Sequence, residues 1–217
     1  MKQIRVLLAD DHLLVRQGLR ALLEKIVGVT VMGEEGDGRD AVATAKAGHV
    51  DVVLMDIKMP GLNGLEALVR MRKEAPYVRV IMLSMYASEA YFQMALDAGA
   101  AGYLLKDADQ TELELALQTI ARGETYLTPT VAQYALAAFQ NPMHRKDGPL
   151  ASLTSRQREI LQLMTEGHSN RDIAAQLQLS IRTVESHRAD LMDRLGVHDV
   201  PGLVLIALRS GLITAPL

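Results

Sequence analysis

Five short apolar runs, each followed by a stretch with helical spacing, occupy the first 125 residues. The runs are Ile4–Ala9, Thr30–Glu34, Val52–Asp56, Arg79–Ser84 and Gly102–Lys106, and the helical stretches lie near 13–26, 38–47, 64–74, 89–98 and 110–122. Runs of five or six residues, mostly aliphatic or β-branched, suit buried strands; alternation with helices then demands βαβ units and a parallel sheet. The expected fold is therefore α/β: a five-stranded, parallel, doubly wound sheet of flavodoxin-like form. Val52-Val53-Leu54-Met55 is apolar throughout, which predicts a central strand covered on both faces. Gly28, Gly48 and Gly99 are placed to close the first, second and fourth helices. Asp109 is placed to cap the fifth at its start.

Ligands of open parallel sheets bind at the carboxyl ends of the strands. Here those ends are chemically loaded. The first run leads into Asp10-Asp11, the third ends at Asp56, the fourth at Ser84 and the fifth at Lys106. Asp56 is followed at once by Ile57-Lys58-Met59-Pro60-Gly61, so it stands where a buried strand opens into a loop. Three acids, a hydroxyl and an ammonium gathered at one edge suit a metal and phosphoryl site built around one carboxylate.

Composition narrows the alternatives. The chain has no Cys, which excludes disulfides, thiolate nucleophiles and Cys-based zinc sites. Its six His have no HExxH spacing. Asp10-Asp11 interrupts the first apolar stretch too early for a secretory leader, and no stretch approaches a membrane span. A cytoplasmic location is expected.

After residue 125 the pattern changes. Thr128-Pro129 opens a short Ala-rich helix over 131–139, and Asn141-Pro142 and Asp147-Gly148-Pro149 then break structure, so 126–149 reads as a linker helix and linker. Residues 150–217 keep a purely helical period. Thr154 with Gln157 forms a capping box, Ser169 caps 170–177, Gln178-Leu179-Ser180 is a tight break, and 181–195 runs to Gly196. Pro201 opens a last helix that stops at Gly211. Two helices joined by so tight a turn form a helix-turn-helix, whose second helix can enter a DNA major groove. This part carries seven Arg, no Lys and seven acids.

The ordered set of motifs resembles a known family. Asp10-Asp11, the stretch from Leu54 through Pro60-Gly61 to Gly64, Ser84, and Tyr103-Leu104-Leu105-Lys106-Asp107 resemble a receiver domain. Leu153-Thr154 with Glu159, Gly167 with Ser169-Asn170, and Ser180, Thr183-Val184 and His187 resemble a LuxR-type helix-turn-helix. Together they resemble a two-component response regulator of the NarL/FixJ type.

That resemblance implies a receiver over 1–125 and a DNA-binding domain over 150–217. It makes Asp56 the phosphoacceptor, served by a sensor histidine kinase. Asp10, Asp11, Asp56 and the backbone carbonyl of Lys58 would hold Mg²⁺, while Ser84, Tyr103 and Lys106 would bind and report the phosphoryl group. Lys58 and Tyr86 would flank the path of hydrolytic water. Arg182, Thr183, Glu185, Ser186, His187 and Arg188 would face DNA, with Arg171 and Arg194 as additional backbone contacts. The active form is expected to be a dimer. No enzyme activity is expected beyond the receiver's own phosphorylation and dephosphorylation.

Two other classes of function share features with this chain. A haloacid-dehalogenase-type phosphatase also uses a strand-end Asp, but it needs an acid two residues on, where this chain has Lys58. An adaptor whose C-terminal helices bind protein is compatible with the neutral balance of 150–217.

Overall fold

Strand β3 is buried at every position from Val52 to Asp56, and its place follows from that: only an interior strand of a sheet covered on both faces tolerates such a run. The computed structural model describes residues 3–85, 87–140, 150, 152–210 and 212–213. Tyr86, His144, the breaks at Asn141-Pro142 and Asp147-Gly148-Pro149, and Gly211 lie outside these residues. The chain divides into two compact units, Met1–Arg145 and Lys146–Leu217.

Among the described residues the first unit runs β1 (Ile4–Ala9), α1 (Leu13–Leu23), β2 (Val29–Glu35), α2 (Gly38–Lys46), β3 (Val52–Asp56), α3 (Gly64–Glu74), β4 (Arg79–Ser84), α4 (Glu89–Ala98), β5 (Gly102–Leu105), α5 (Gln110–Ala121), β6 (Tyr126–Leu127) and α6 (Pro129–Gln140). The strand order is β2-β1-β3-β4-β5-β6. Every neighbouring pair is parallel. Alternation along each strand sends side chains to two cores. Leu7, Val53, Met55, Leu68, Phe92 and Tyr103 fill one. Val6, Leu8, Leu54, Ile81, Leu83 and Leu117 fill the other.

Among the described residues the sheet has six strands rather than the five expected. Tyr126 and Leu127 pair in parallel with Gly102 and Tyr103. A two-residue strand is too short to register as an apolar run, so only its partner reveals it. The first helix also ends earlier than expected, at Leu23, with Glu24 closing it in right-handed geometry. Gly28, at φ +83, lies in the turn before β2 and not at the helix end. Gly99 does close α4 in left-handed geometry, and Asp109 caps α5 by accepting from the Glu112 amide at 2.8 Å.

Gly64 decides where α3 sits. A Cβ there would come within 1.9 Å of the Asp56 carbonyl oxygen. Its absence lets the first turn of α3 rest against the end of β3, with the Gly64 amide donating to the Ile57 carbonyl at 2.9 Å. Asn63 caps this helix through the Glu66 amide at 3.0 Å. Leu65, Ala67, Leu68 and Met71 anchor it in the core. Each buried Leu contributes about 1.5–3 kcal/mol.

The second unit packs α7 (Ser155–Thr165), α8 (Asn170–Leu177), α9 (Ile181–Leu195) and α10 (Val200–Arg209) around Ile160, Leu163, Ile173, Val184, Leu191 and Leu203. Capping boxes start α7 at Thr154 with Gln157 and α8 at Ser169 with Asp172. Gln178 turns the chain in left-handed geometry at φ 55, which folds α8 back within the three residues before α9. Pro201 stands in the first turn of α10, where Asp199 accepts from the Gly202 amide at 2.8 Å.

Candidate functional site

Strand register assembles the first site. Ala9 lies beside Met55, so the residues one step on, Asp10 and Asp56, share the sheet edge. Asp56 lies beside Leu83, and Ser84 beside Leu105, which brings Ser84 and Lys106 to the same edge. The Lys106 ammonium sits 2.6 Å from Asp10 Oδ2 and 3.0 Å from Asp56 Oδ2. Asp10 is 1% exposed and Asp56 5%. Burial pushes the Asp56 carboxyl up to about 6; Lys106 opposes this, and the negative charges of Asp10 and Asp11 add to it. The site thus contains a buried carboxyl raised above its ordinary range, with an ammonium against it.

The main chain holds Asp10 tightly. Its amide donates to the Glu35 carbonyl at 3.0 Å, and its carbonyl accepts from the Arg16 guanidinium on α1. Arg16 also lies 3.7 Å from Glu34 on β2. Asp10 Oδ1 accepts from the His12 amide at 2.8 Å, and His12 Nδ1 lies 2.7 Å from Asp11 Oδ1. Asp10, Asp11, His12 and Asp56 each bring one ligand atom within 4.8 Å of the others. Carboxylate oxygens dominate this group, which fits a hard divalent cation of the Mg²⁺ type.

The remaining expected site residues surround this centre. Lys58, in the loop after Asp56, places its ammonium 5.4 Å from the centre of the Tyr91 ring. Ser84 is 7% exposed, and the Lys106 amide donates to its carbonyl at 2.8 Å. Tyr103 is turned fully inward and meets Phe92 edge-on, with ring centroids 6.0 Å apart. Burial pushes the Tyr103 hydroxyl up, while Ser84 pulls it down.

The residues expected to face DNA fall into two groups on α9. Arg182, Glu185 and Ser186 are exposed, and Thr183 and His187 are half-buried. Ser180 caps the helix by accepting from the Thr183 amide at 3.0 Å. Arg188 instead reaches α8 and donates to Asn170. Arg194 donates to the Ser152 carbonyl at 2.8 Å, while Arg171 is exposed. Arg188 and Arg194 therefore also tie the helices of this unit together.

Sequence reasoning set His12 aside and passed over Arg16 and Tyr91. His12 had a signal, since it adjoins Asp11. Arg16 and Tyr91 had none, because helix packing alone carries them to the sheet edge.

Comparison with known proteins agrees with this geometry. The family described as "Response regulator receiver domain" matches residues 6–118, and "Bacterial regulatory proteins, luxR family" matches 151–207. Response regulator UvrY of Escherichia coli O6:H1 is 40% identical over 212 residues, covering 98% of this chain and 97% of that protein. The structure of RcsB from Salmonella enterica serovar Typhimurium, bound to promoter rprA with the phosphomimetic BeF₃⁻, has a TM-score of 0.63 at 26% identity, covering 94% of this chain and 98% of that one. A structure of two RcsB dimers bound to two parallel DNAs has a TM-score of 0.59 at 27% identity, covering 96% and 99%. Among the described residues no helix is long and apolar enough to cross a membrane. A parallel sheet edged with buried acids and a lysine, followed by a helix-turn-helix unit, matches both family models in order, and the chain belongs to the two-component response regulators of the NarL/FixJ type.

Proposed function

We propose that Asp56 accepts a phosphoryl group from a sensor histidine kinase, and that this controls the binding of residues 150–217 to specific DNA. The observation that carries the reading is the placement of Lys106 between Asp10 and Asp56 in a buried edge. An Asp56 carboxylate oxygen attacks phosphorus, the bond from phosphorus to the donor breaks, and the donor leaves with that electron pair. Mg²⁺ held by Asp10, Asp11, Asp56 and the Lys58 carbonyl would neutralise charge on the incoming group. Lys106 then pairs with a phosphoryl oxygen in place of Asp56, and the Ser84 hydroxyl donates to another. The receiver catalyses this step, and the reversal by water, on itself alone.

In the second unit Arg182 contacts the DNA backbone, and Thr183, His187 and Arg188 support it. Glu185 and Ser186 face base edges. The receiver spans 1–125, the linking segment 126–149 and the DNA reader 150–217. The DNA-bound dimers of RcsB support a dimeric active form. A regulator that binds DNA acts in the cytoplasm.

The test is labelling with Mg²⁺ and a small phosphodonor. One acid-stable, base-labile phosphoryl group is expected, and Asp56→Asn should abolish it. Undiminished labelling of that variant would remove Asp56 from the mechanism.

A further inference from the structure

Helix α6 begins the segment expected to serve as a linker, yet it is built into the core of the first unit. Val131 is fully buried in the same cluster as Tyr103, Phe92 and Ala95. Tyr134 and Ala135 pack on that cluster. The Tyr134 hydroxyl donates to the Ala87 carbonyl at 3.4 Å, in the loop that leads from Ser84 to α4. Burial is the main cause that raises the Tyr103 hydroxyl, and the nearby Tyr134 hydroxyl adds to it electrostatically. The Tyr103 hydroxyl is itself buried without a well-formed hydrogen bond.

The start of α6 is tied to the same switch strand. The Thr128 amide donates to the Tyr103 carbonyl at 3.0 Å, and the Leu105 amide donates to Thr128 Oγ1 at 3.3 Å. The next residue, just past the strand end, is Lys106. Thr128 then opens α6 by accepting from the Val131 and Ala132 amides at 2.9 and 3.0 Å. One end of α6 is therefore fixed to β5, which leads into Lys106, and its middle to the loop after β4, which ends at Ser84.

We infer that α6 is a working part of the phosphoryl switch, with Tyr134 as a positioning residue that holds the loop after Ser84 and the inward Tyr103. This rests on the reading of Asp56 as phosphoacceptor. A phosphoryl group that engages Ser84 and Lys106 fixes both anchors of α6 and tightens its docking. Linkage makes the effect reciprocal: whatever loosens α6 weakens the hold on the phosphoryl group by the same factor. A helix that only packs against the receiver would show no such reciprocity.

The experiment uses the full chain with Mg²⁺ and beryllofluoride as the phosphoryl probe. Amide exchange across residues 131–136 should slow about fivefold or more when the probe binds, the lower end of usual coupling. Tyr134→Phe should lose most of that protection. Tyr134→Phe and the more disruptive Ala135→Asp should each weaken beryllofluoride binding by the factor they remove from protection, with Mg²⁺ affinity unchanged. Unaltered exchange on probe binding, or unaltered probe affinity in both variants, would overturn the inference while leaving Asp56 in place. Probe binding that is absent in the wild type, or equal in Asp56→Asn, would overturn the phosphoacceptor reading and this inference with it.

Discussion

Lys106 lies 3.0 Å from Asp56, at the ends of two strands that are not neighbours in the sheet. The same ammonium reaches Asp10 at 2.6 Å. One cation thus serves two buried acids, and burial still wins at Asp56, whose carboxyl stands at about 6. A buried carboxyl held above its ordinary pKa is poised to gain from an added cation or from loss of its charge.

The raised carboxyl has a stability signature. Asp56 binds its proton more tightly in the folded state, at about 6 against an ordinary 3.8. Stability is therefore lost as pH rises from about 4 through about 6 and stays lower above that. Two pKa units correspond to roughly 3 kcal/mol. Asp56→Asn carries no charge to bury. In chelator it should match wild type near pH 4 and exceed it by about 2–3 kcal/mol at pH 7.5. Mg²⁺ should narrow the gap by binding the ionised acids. Melting curves across this range, with and without Mg²⁺, check it; a gap that does not widen with pH contradicts the account.

Removing Lys106 should separate acceptance from switching. Lys106→Ala leaves Asp10 and Asp56 without their shared cation, so the Asp56 carboxyl rises further and labelling shifts to more alkaline pH. The lost charge-assisted contact is worth about 1.5–3 kcal/mol. That is enough to erase a population shift of about tenfold. Phosphate should still be accepted above the new pKa while DNA affinity ceases to respond. Normal phosphate dependence of DNA binding in Lys106→Ala would remove its switch role.

Two glycines should behave in opposite ways. In Gly64→Ala the new methyl meets the Asp56 carbonyl at 1.9 Å and the Met55 side chain at 2.9 Å, so α3 must leave the strand end. A loss of about 3 kcal/mol or more is expected, together with weaker Mg²⁺ binding. Gly18 is exposed within α1 and has nothing within 4 Å of an added Cβ. Gly18→Ala should stabilise by about 0.5–1 kcal/mol. Denaturant unfolding of both variants decides the matter.

On the DNA side the arginines should divide. Arg182→Ala should weaken all sequences alike and reduce the log–log salt slope by about 0.9 per subunit. Arg188→Ala should also lower the melting temperature of the second unit, because it releases Asn170 on α8. Glu185→Ala should change the preferred base at one position by roughly 1–3 kcal/mol. Selection from a random DNA pool reads this out; an unchanged preferred sequence would show that Glu185 reads no base.

Much of the architecture was legible in the chain. Apolar runs separated by helical periods are a local signal, and so are the caps at Thr154, Ser169 and Asp109; the elements they mark stand near where expected, the shorter first helix excepted. The placement of the first site's residues was legible too, because strands of a parallel sheet all point their carboxyl ends one way. Asp10, Asp56, Ser84 and Lys106 then had to meet at one edge.

Tertiary structure alone decided the rest. Strand β6 exists because Tyr126 and Leu127 align with Gly102 and Tyr103, a register that two residues cannot announce. Arg16 reaches the Asp10 carbonyl, and Tyr134 the Ala87 carbonyl, across chain separations that leave no periodic trace. Arg188 stands at the front of α9 with the other residues expected to face DNA, and packing of α8 on α9 also gives it Asn170 as a partner. Even the Asp56 carboxyl near 6 is a product of packing. The sequence alone determined that a carboxylate stands at a strand end. How dry its surroundings are, and which cation shares it, depended on segments brought together only by folding.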